Sequence, residues 1–295
     1  MASFDQSKAY AVQQEVYFND GREIELLHYV YGRDDIDELR GSPEKVLAAI
    51  DEYGRKQKYL MNVGEDKGKI VTDLIAEHKP NFMIELGGYV GYSSILFAST
   101  LQRSGGKQYL VLEKSPEFAA VVASMADLAG LSSVVKVIVG ASDVSIRRLH
   151  AAGELPPRLD MVFLDHIKPA YLPDLKLLES LGLIGEGTVL AADNVIKPGN
   201  PPYLAYVRAS VEEKKMAAVQ AAAGVGDEQQ QQQQQQQQGD ATPAPQGDPS
   251  LIYESKLFNS FEPTGIPDGV EVTKMLYKLL RFGHRYIRLN ETNAS

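Results

Sequence analysis

Short apolar runs alternate with longer stretches of helical periodicity through the middle of this chain, and that alternation leaves few folds open. Strands are expected at 82–86, 108–112, 135–139, 161–164 and 188–192, with helices near 93–101, 117–128, 144–150, 171–180 and 203–215. A helix between successive strands makes those strands parallel and puts crossover helices on both faces of the sheet. Three helices, over 21–31, 43–58 and 68–76, precede the sheet. The second is announced by Ser42-Pro43-Glu44-Lys45, a cap followed by proline in the first turn. Runs at 251–258 and 270–280 have strand character, with Pro267-Asp268-Gly269 read as the turn between them, so an antiparallel pair finishes the sheet. The expected organisation is a single α/β domain over 21–282, preceded by a flexible arm at 1–20 and followed by a polar tail at 283–295. An insertion at 217–250, with its glutamine run and Pro-Ala-Pro, offers little to bury and is expected to be disordered.

Two of the apolar runs stop on oxygen ligands. The run from Leu159 ends at Asp165, and the run from Gly187 ends at Asp193-Asn194. In an open α/β sheet the ligand crevice lies beyond the carboxyl ends of the strands, so these three side chains should meet at one rim. Two carboxylates and an amide suit a hard divalent cation such as Mg²⁺, which keeps positions open for substrate oxygens. A substrate with adjacent hydroxyls would fill two of those positions. Ionising a hydroxyl of pKa about 10 at pH 7 costs about 4 kcal/mol at ~1.36 per unit. One charge-assisted hydrogen bond returns only about 1.5–3 of that, whereas a cation supplies several. Lys168 follows Asp165 by three residues and is the candidate general base. A lone lysine at a strand end is more often a solvated surface charge; the aspartates on either side of it in sequence tip the reading.

Upstream, Glu85-Leu86-Gly87-Gly88-Tyr89-Val90-Gly91 closes the first strand. Its glycines let backbone pass close to a ligand, but the Gly-x-Gly-x-x-Gly spacing of a dinucleotide site is absent. An acidic residue at this turn suits a cofactor with a positive centre or a free amine, such as S-adenosylmethionine. Glu113, ending the second strand, is placed for ribose hydroxyls. Gly140-Ala141-Ser142-Asp143, after the third, is placed for an adenine edge. His166 is assigned a cofactor contact and no proton transfer.

Composition narrows the function classes. A net charge of -9 without any basic block argues against nucleic acid as a partner. The absence of cysteine excludes disulfides, thiolate ligands and a thiol nucleophile. No apolar stretch approaches the roughly 18 residues of a membrane span, and residues 1–20 lack the basic start and apolar centre of a signal peptide. A cytoplasmic monomer, without a membrane partner, is expected.

The motifs resemble the catechol O-methyltransferase family in order and spacing. The resemblance rests on Met61-Asn62-Val63-Gly64, Lys67 to Val71, ELGGYVGYS at 85–93, Val139-Gly140-Ala141-Ser142, LDMVFLDH at 159–166, Tyr171-Leu172-Pro173-Asp174 and GTVLAADNVIKPG at 187–199. It runs from about residue 46 to 210 and resumes after the insertion. It implies a Rossmann-like class I methyltransferase fold: a mostly parallel seven-stranded sheet with an antiparallel final strand. It further implies Mg²⁺, and transfer of the sulfonium methyl of S-adenosylmethionine to one hydroxyl of a catechol. Carried over by position, the family's metal ligands fall on Asp165, Asp193 and Asn194, and its catalytic lysine on Lys168. Its cofactor contacts fall on Val63, Glu85, Gly87, Tyr89, Tyr92, Ser93, Glu113, Ser142 and His166. The carboxylate that meets the second hydroxyl corresponds to Glu262, six residues before Asp268.

Departures from the family concern the substrate walls. Tyr59 and Ile167 stand where the mammalian enzyme carries tryptophans, and the chain has no Trp; Pro198 keeps one apolar wall. Asp143 replaces a glutamine near adenine and can accept but not donate, and Lys114 replaces an apolar neighbour of the ribose acid. A methyltransferase of another catechol-bearing metabolite, such as a phenylpropanoid, would use the same ligands. A non-catalytic cofactor-binding scaffold and a nicotinamide oxidoreductase are the competing classes. The first has no need of Asp165, Lys168, Asp193, Asn194 and Glu262 together, and the second lacks its glycine pattern.

Overall fold

The computed structural model describes residues 3–12, 20–222, 245–282 and 285–288. Five parallel strands fall on the five apolar runs: β1 (Phe82–Leu86), β2 (Gln108–Glu113), β3 (Val135–Val139), β4 (Met161–Leu164) and β5 (Val189–Ala192). Two long antiparallel strands follow, β6 (Leu251–Phe261) and β7 (Pro267–Phe282). The sheet order is β3-β2-β1-β4-β5-β7-β6. A short β8 (Arg285–Arg288) pairs with the far end of β7, so part of the expected polar tail is a strand.

Period-two alternation sends side chains to two cores, which is why the strand runs read as continuously apolar. Met83, Val111, Met161, Phe163, Val189 and Ala191 pack on one face beneath α1 (Arg22–Tyr31), α3 (Pro43–Lys56), α4 (Gly64–His78), α5 (Tyr92–Arg103) and α6 (Pro116–Leu128); α2 (Ile36–Leu39) is a single turn. Ile84, Leu86, Leu110, Leu112, Val162, Leu164 and Leu190 face the other way. There they meet α7 (Ser142–Ala151), α8 (Tyr171–Ser180) and α9 (Pro201–Arg208). Each fully buried Leu, Phe or Val contributes roughly 1.5–3 kcal/mol.

Several local expectations change. The helix expected over 203–215 is two. Ala209 is extended (φ -73, ψ 146), and Ser210 restarts the chain into α10 (Val211–Ala222). There Ser210 Oγ accepts from Glu213 N while Glu213 Oε2 accepts from Ser210 N, a reciprocal capping box. Pro267-Asp268-Gly269 is not a turn but the start of β7. The reversal lies at 262–266, closed by Glu262 N to Ile266 O and Gly265 N to Glu262 O, both 2.8 Å. Gly265 takes φ +81 there.

Both edges of the expected insertion are ordered: α10 continues to Ala222, Asp248 N donates to Glu179 Oε2 and Asp248 pairs with Lys278. The remainder, 223–244 with the glutamine run, lies outside the described residues. The arm expected to be flexible is packed at 3–12, where Tyr10 is buried; residues 13–19 lie outside the description. Among the described residues no helix is long and apolar enough to cross a membrane.

Candidate active site

The carboxyl ends of the parallel strands make a single rim. One residue past each strand the ladder continues: Gly87 N donates to Leu112 O, Asp165 N to Leu86 O and Asp193 N to Leu164 O, at 2.9–3.0 Å. Gly87, Asp165 and Asp193 therefore stand in a row across the point where the sheet runs outward in both directions from β1 and β4, the place where α/β sheets bind ligands. A Cβ at Gly87 would lie 2.7 Å from Asp165 O and 2.9 Å from His166 Cα. Glycine is thus required there by the approach of the β1 turn to the β4 turn, and φ +90 adds to the requirement. Asn194 takes a left-handed conformation (φ 55, ψ 38), which Asn tolerates better than most residues, and this returns its side chain to the rim beside Asp193.

Here the expected ligands meet, together with residues that the sequence did not flag. Lys168 Nζ lies 2.8 Å from Asn194 Oδ1 and 3.3 Å from Asp165 Oδ1, and donates to Tyr171 OH. Asn194 Nδ2 donates to Glu262 Oε1 at 2.6 Å. Lys67, fully buried on α4, reaches Asp193, Glu262 Oε1 and Asp268 Oδ2 at 2.8 Å each. Three elements distant in sequence are drawn together by one ammonium group.

The cluster carries more negative charge than its lysines balance. Asp165, Asp193, Glu262 and Asp268 are four carboxylates against Lys67 and Lys168, leaving a formal excess of two. Burial pushes Asp165 up from the usual carboxylate range, against the pull of Lys168, and pushes Glu262 up against the pull of Lys67. Asp268 is also buried, yet Lys67 and backbone donors hold it down at about 2. Asp193 Oδ1 sits 2.8 Å from Lys67 Nζ but is a buried oxygen with no properly directed hydrogen bond. A buried Asp193 oxygen without a directed hydrogen bond, and a hard donor set of two carboxylates and one amide, fit one divalent cation. Among the described residues no three His, Cys, Asp or Glu side chains form a ready-made cage; the third oxygen would be the amide of Asn194.

At the cofactor end, Glu113 Oε2 accepts from Gly88 N and Tyr89 N, and Oε1 from Ser115 N. It shapes the glycine turn. Glu85 is fully buried, with its oxygens accepting from Ser93 Oγ and Ser94 Oγ. It positions Ser93 and Ser94 beneath the turn. Tyr89, at φ 48, packs its ring edge-on against Phe118. Val63 is buried at the start of α4. Tyr92 turns into the core, where its hydroxyl lies 3.3 Å from Asp51, so it is not brought to the rim.

Ser142 Oγ donates to Asp174, whose Oδ2 also meets His166 Nε2 at 2.8 Å. The imidazole stacks on Tyr171, and its Nδ1 is buried and unpartnered. Asp174 was visible only as part of a motif. Lys67 had a stronger signal: it shares a helix face with Val71 and Ile75, four and eight residues on, and a lysine on a buried stripe needs a partner.

A model of the family described as O-methyltransferase matches residues 42–220. The chain belongs to the O-methyltransferase family. Among its relatives in the family, catechol O-methyltransferase of Mus musculus is 47% identical over 170 residues, 58% of this chain and 63% of that protein. That of Sus scrofa is 47% identical over 148 residues, 50% of this chain and 78% of that protein. The chain thus spans a little under two thirds of the mouse relative. An O-methyltransferase from Bacillus cereus, solved in complex with SAH, superposes with a TM-score of 0.52 at 20% identity, covering 84% of this chain and 96% of that one. At that identity the likeness establishes the Rossmann-like methyltransferase fold and nothing further.

Proposed function

We propose that this chain transfers the methyl group of S-adenosylmethionine to one hydroxyl of a catechol or related vicinal diol, with Mg²⁺ as cofactor. The observation that carries the reading is the convergence of Asp165, Asp193 and Asn194 with Lys168 and Glu262 on one partly buried rim. Family membership supports the methyl transfer; the donor set supports the cation and the diol.

Asp165, Asp193 and the Asn194 amide oxygen would hold the cation, which when bound acts as a Lewis acid toward the diol oxygens. Lys168 is anchored between Asn194, Asp165 and Tyr171 and is the candidate base for the hydroxyl proton. Glu262 is fixed through one oxygen by Lys67 and Asn194 and accepts from the hydroxyl that is not methylated. Ser93, Glu113, Ser142 and His166 bind and orient the cofactor, with Glu85 and Asp174 fixing Ser93 and His166. Ile167 is 68% exposed and gives a lower wall than a tryptophan, which favours catechols with a larger side chain.

The discriminating experiment is ligand-dependent melting. S-adenosylhomocysteine at 100 times its Kd should stabilise the fold by about 2.7 kcal/mol, and NAD should leave the melting temperature unchanged. Stabilisation by NAD alone would overturn the methyltransferase reading.

A further inference from the structure

Residues 3–12 lie across the turn that carries Glu262. Tyr10 N donates to Pro263 O at 2.9 Å, and Ala11 N donates to Gly54 O at 2.9 Å on α3. Phe4 packs its ring against Phe261 with centroids 5.7 Å apart, and Lys8 pairs with Glu65 at the start of α4. The Tyr10 ring fills the space above Gly54, where an added Cβ would stand 2.5 Å from its Cε2. Its hydroxyl donates to Asp51 and accepts from Asn62 Nδ2 at 3.2 Å. Asp51 also meets the Tyr92 hydroxyl on α5, and Asn62 immediately precedes Val63 at the mouth of α4.

We propose that Tyr10 is a positioning residue that ties the Glu262 turn to the loop and helices framing the cofactor end, making diol recognition dependent on the N-terminal segment. One side of Tyr10 grips the turn through backbone, and the other grips α3, α5 and the 61–63 loop through its hydroxyl. On its other side the turn is held by its internal hydrogen bonds, by the contact of Pro263 with Gly64 on α4, and by Lys67 and Asn194, which both donate to Glu262. Tyr10 itself touches no reacting group. Its effect on turnover rests on the role given above to Glu262, whereas its effect on the turn does not.

The full chain carrying Tyr10→Ala, and separately Gly54→Ala, tests this. Alanine favours a helix interior over glycine, so Gly54→Ala should fold while its Cβ displaces the Tyr10 ring. Hydrogen exchange in the peptide spanning 261–267 should quicken about tenfold in both variants, with exchange in β4 unchanged. The KM for catechol should rise about threefold or more, with kcat and the Kd of S-adenosylhomocysteine moving less than about twofold. Unchanged exchange at 261–267 in both variants overturns the proposal. If the native chain methylates no catechol, the exchange result still decides the role of Tyr10, and the failure then belongs to the functional reading.

Discussion

Lys67 holds three carboxylates at 2.8 Å without any contact with water. Removing one member of a buried ionic network leaves its partners uncompensated, at a cost of roughly 3–5 kcal/mol. Lys67→Met should therefore lower the unfolding free energy from urea titration by about that amount; an unchanged value would show that the carboxylates are relieved in some other way. Lys168, only partly buried and at the rim, is a different case. Lys168→Ala should lower turnover by a factor on the order of 10²–10⁴ with S-adenosylhomocysteine affinity little changed, and undiminished turnover would remove it from the role of base. Glu85 supplies a pH signature. Burial raises its carboxyl from 4.5 to about 7, against the hydrogen bonds from Ser93 and Ser94. A folded value above the unfolded one means that its contribution is fully present below pH 4.5 and is lost as pH rises through about 7. At about 1.36 kcal/mol per unit the loss is about 3 kcal/mol. The stability of the native chain relative to Glu85→Gln should fall by that amount between about pH 4.5 and pH 8; a flat difference would contradict it.

At the scale of elements, the parallel strands were legible because burial on both faces makes each a continuous apolar run; β1, β3 and β4 fall on their expected residues. The ends of those runs also gave Asp165, Asp193 and Asn194. What the sequence hid was set by contacts across the sheet. Pro267-Asp268-Gly269 has turn composition, yet these residues pair with Phe261, Ser260 and Asn259 of β6 and Lys67 takes Asp268 into the core, so tertiary pairing overrides local preference. Nothing local to Glu85 shows that the serines of α5 donate to both its oxygens. The low-complexity composition of 217–250 gave no sign that Asp248 would dock on Glu179 and Lys278. That contact sets the limits of a safe deletion. Removing 227–244 should leave turnover within about twofold, while extending the deletion through Asp248 should lower the melting temperature by several degrees, about 1 kcal/mol or more for the lost charge-assisted contacts. Equal melting temperatures for the two deletions would show that the docking of Asp248 is incidental.

For the molecule as a whole, a two-faced sheet delivers one end of β4 and β5 to a rim, and α4 and the β6–β7 turn close over it with Lys67 and Glu262. The architecture gathers four carboxylates and two lysines at that rim, and that donor set is the ground for the proposed divalent cation. The most direct measurement is methyl transfer from S-adenosylmethionine to catechol by metal-stripped protein, followed through a Mg²⁺ titration. The account predicts negligible product without metal and saturable activity with it, absent from Asp193→Ala at every Mg²⁺ concentration. Equal turnover with and without Mg²⁺, or full activity in Asp193→Ala, would contradict it.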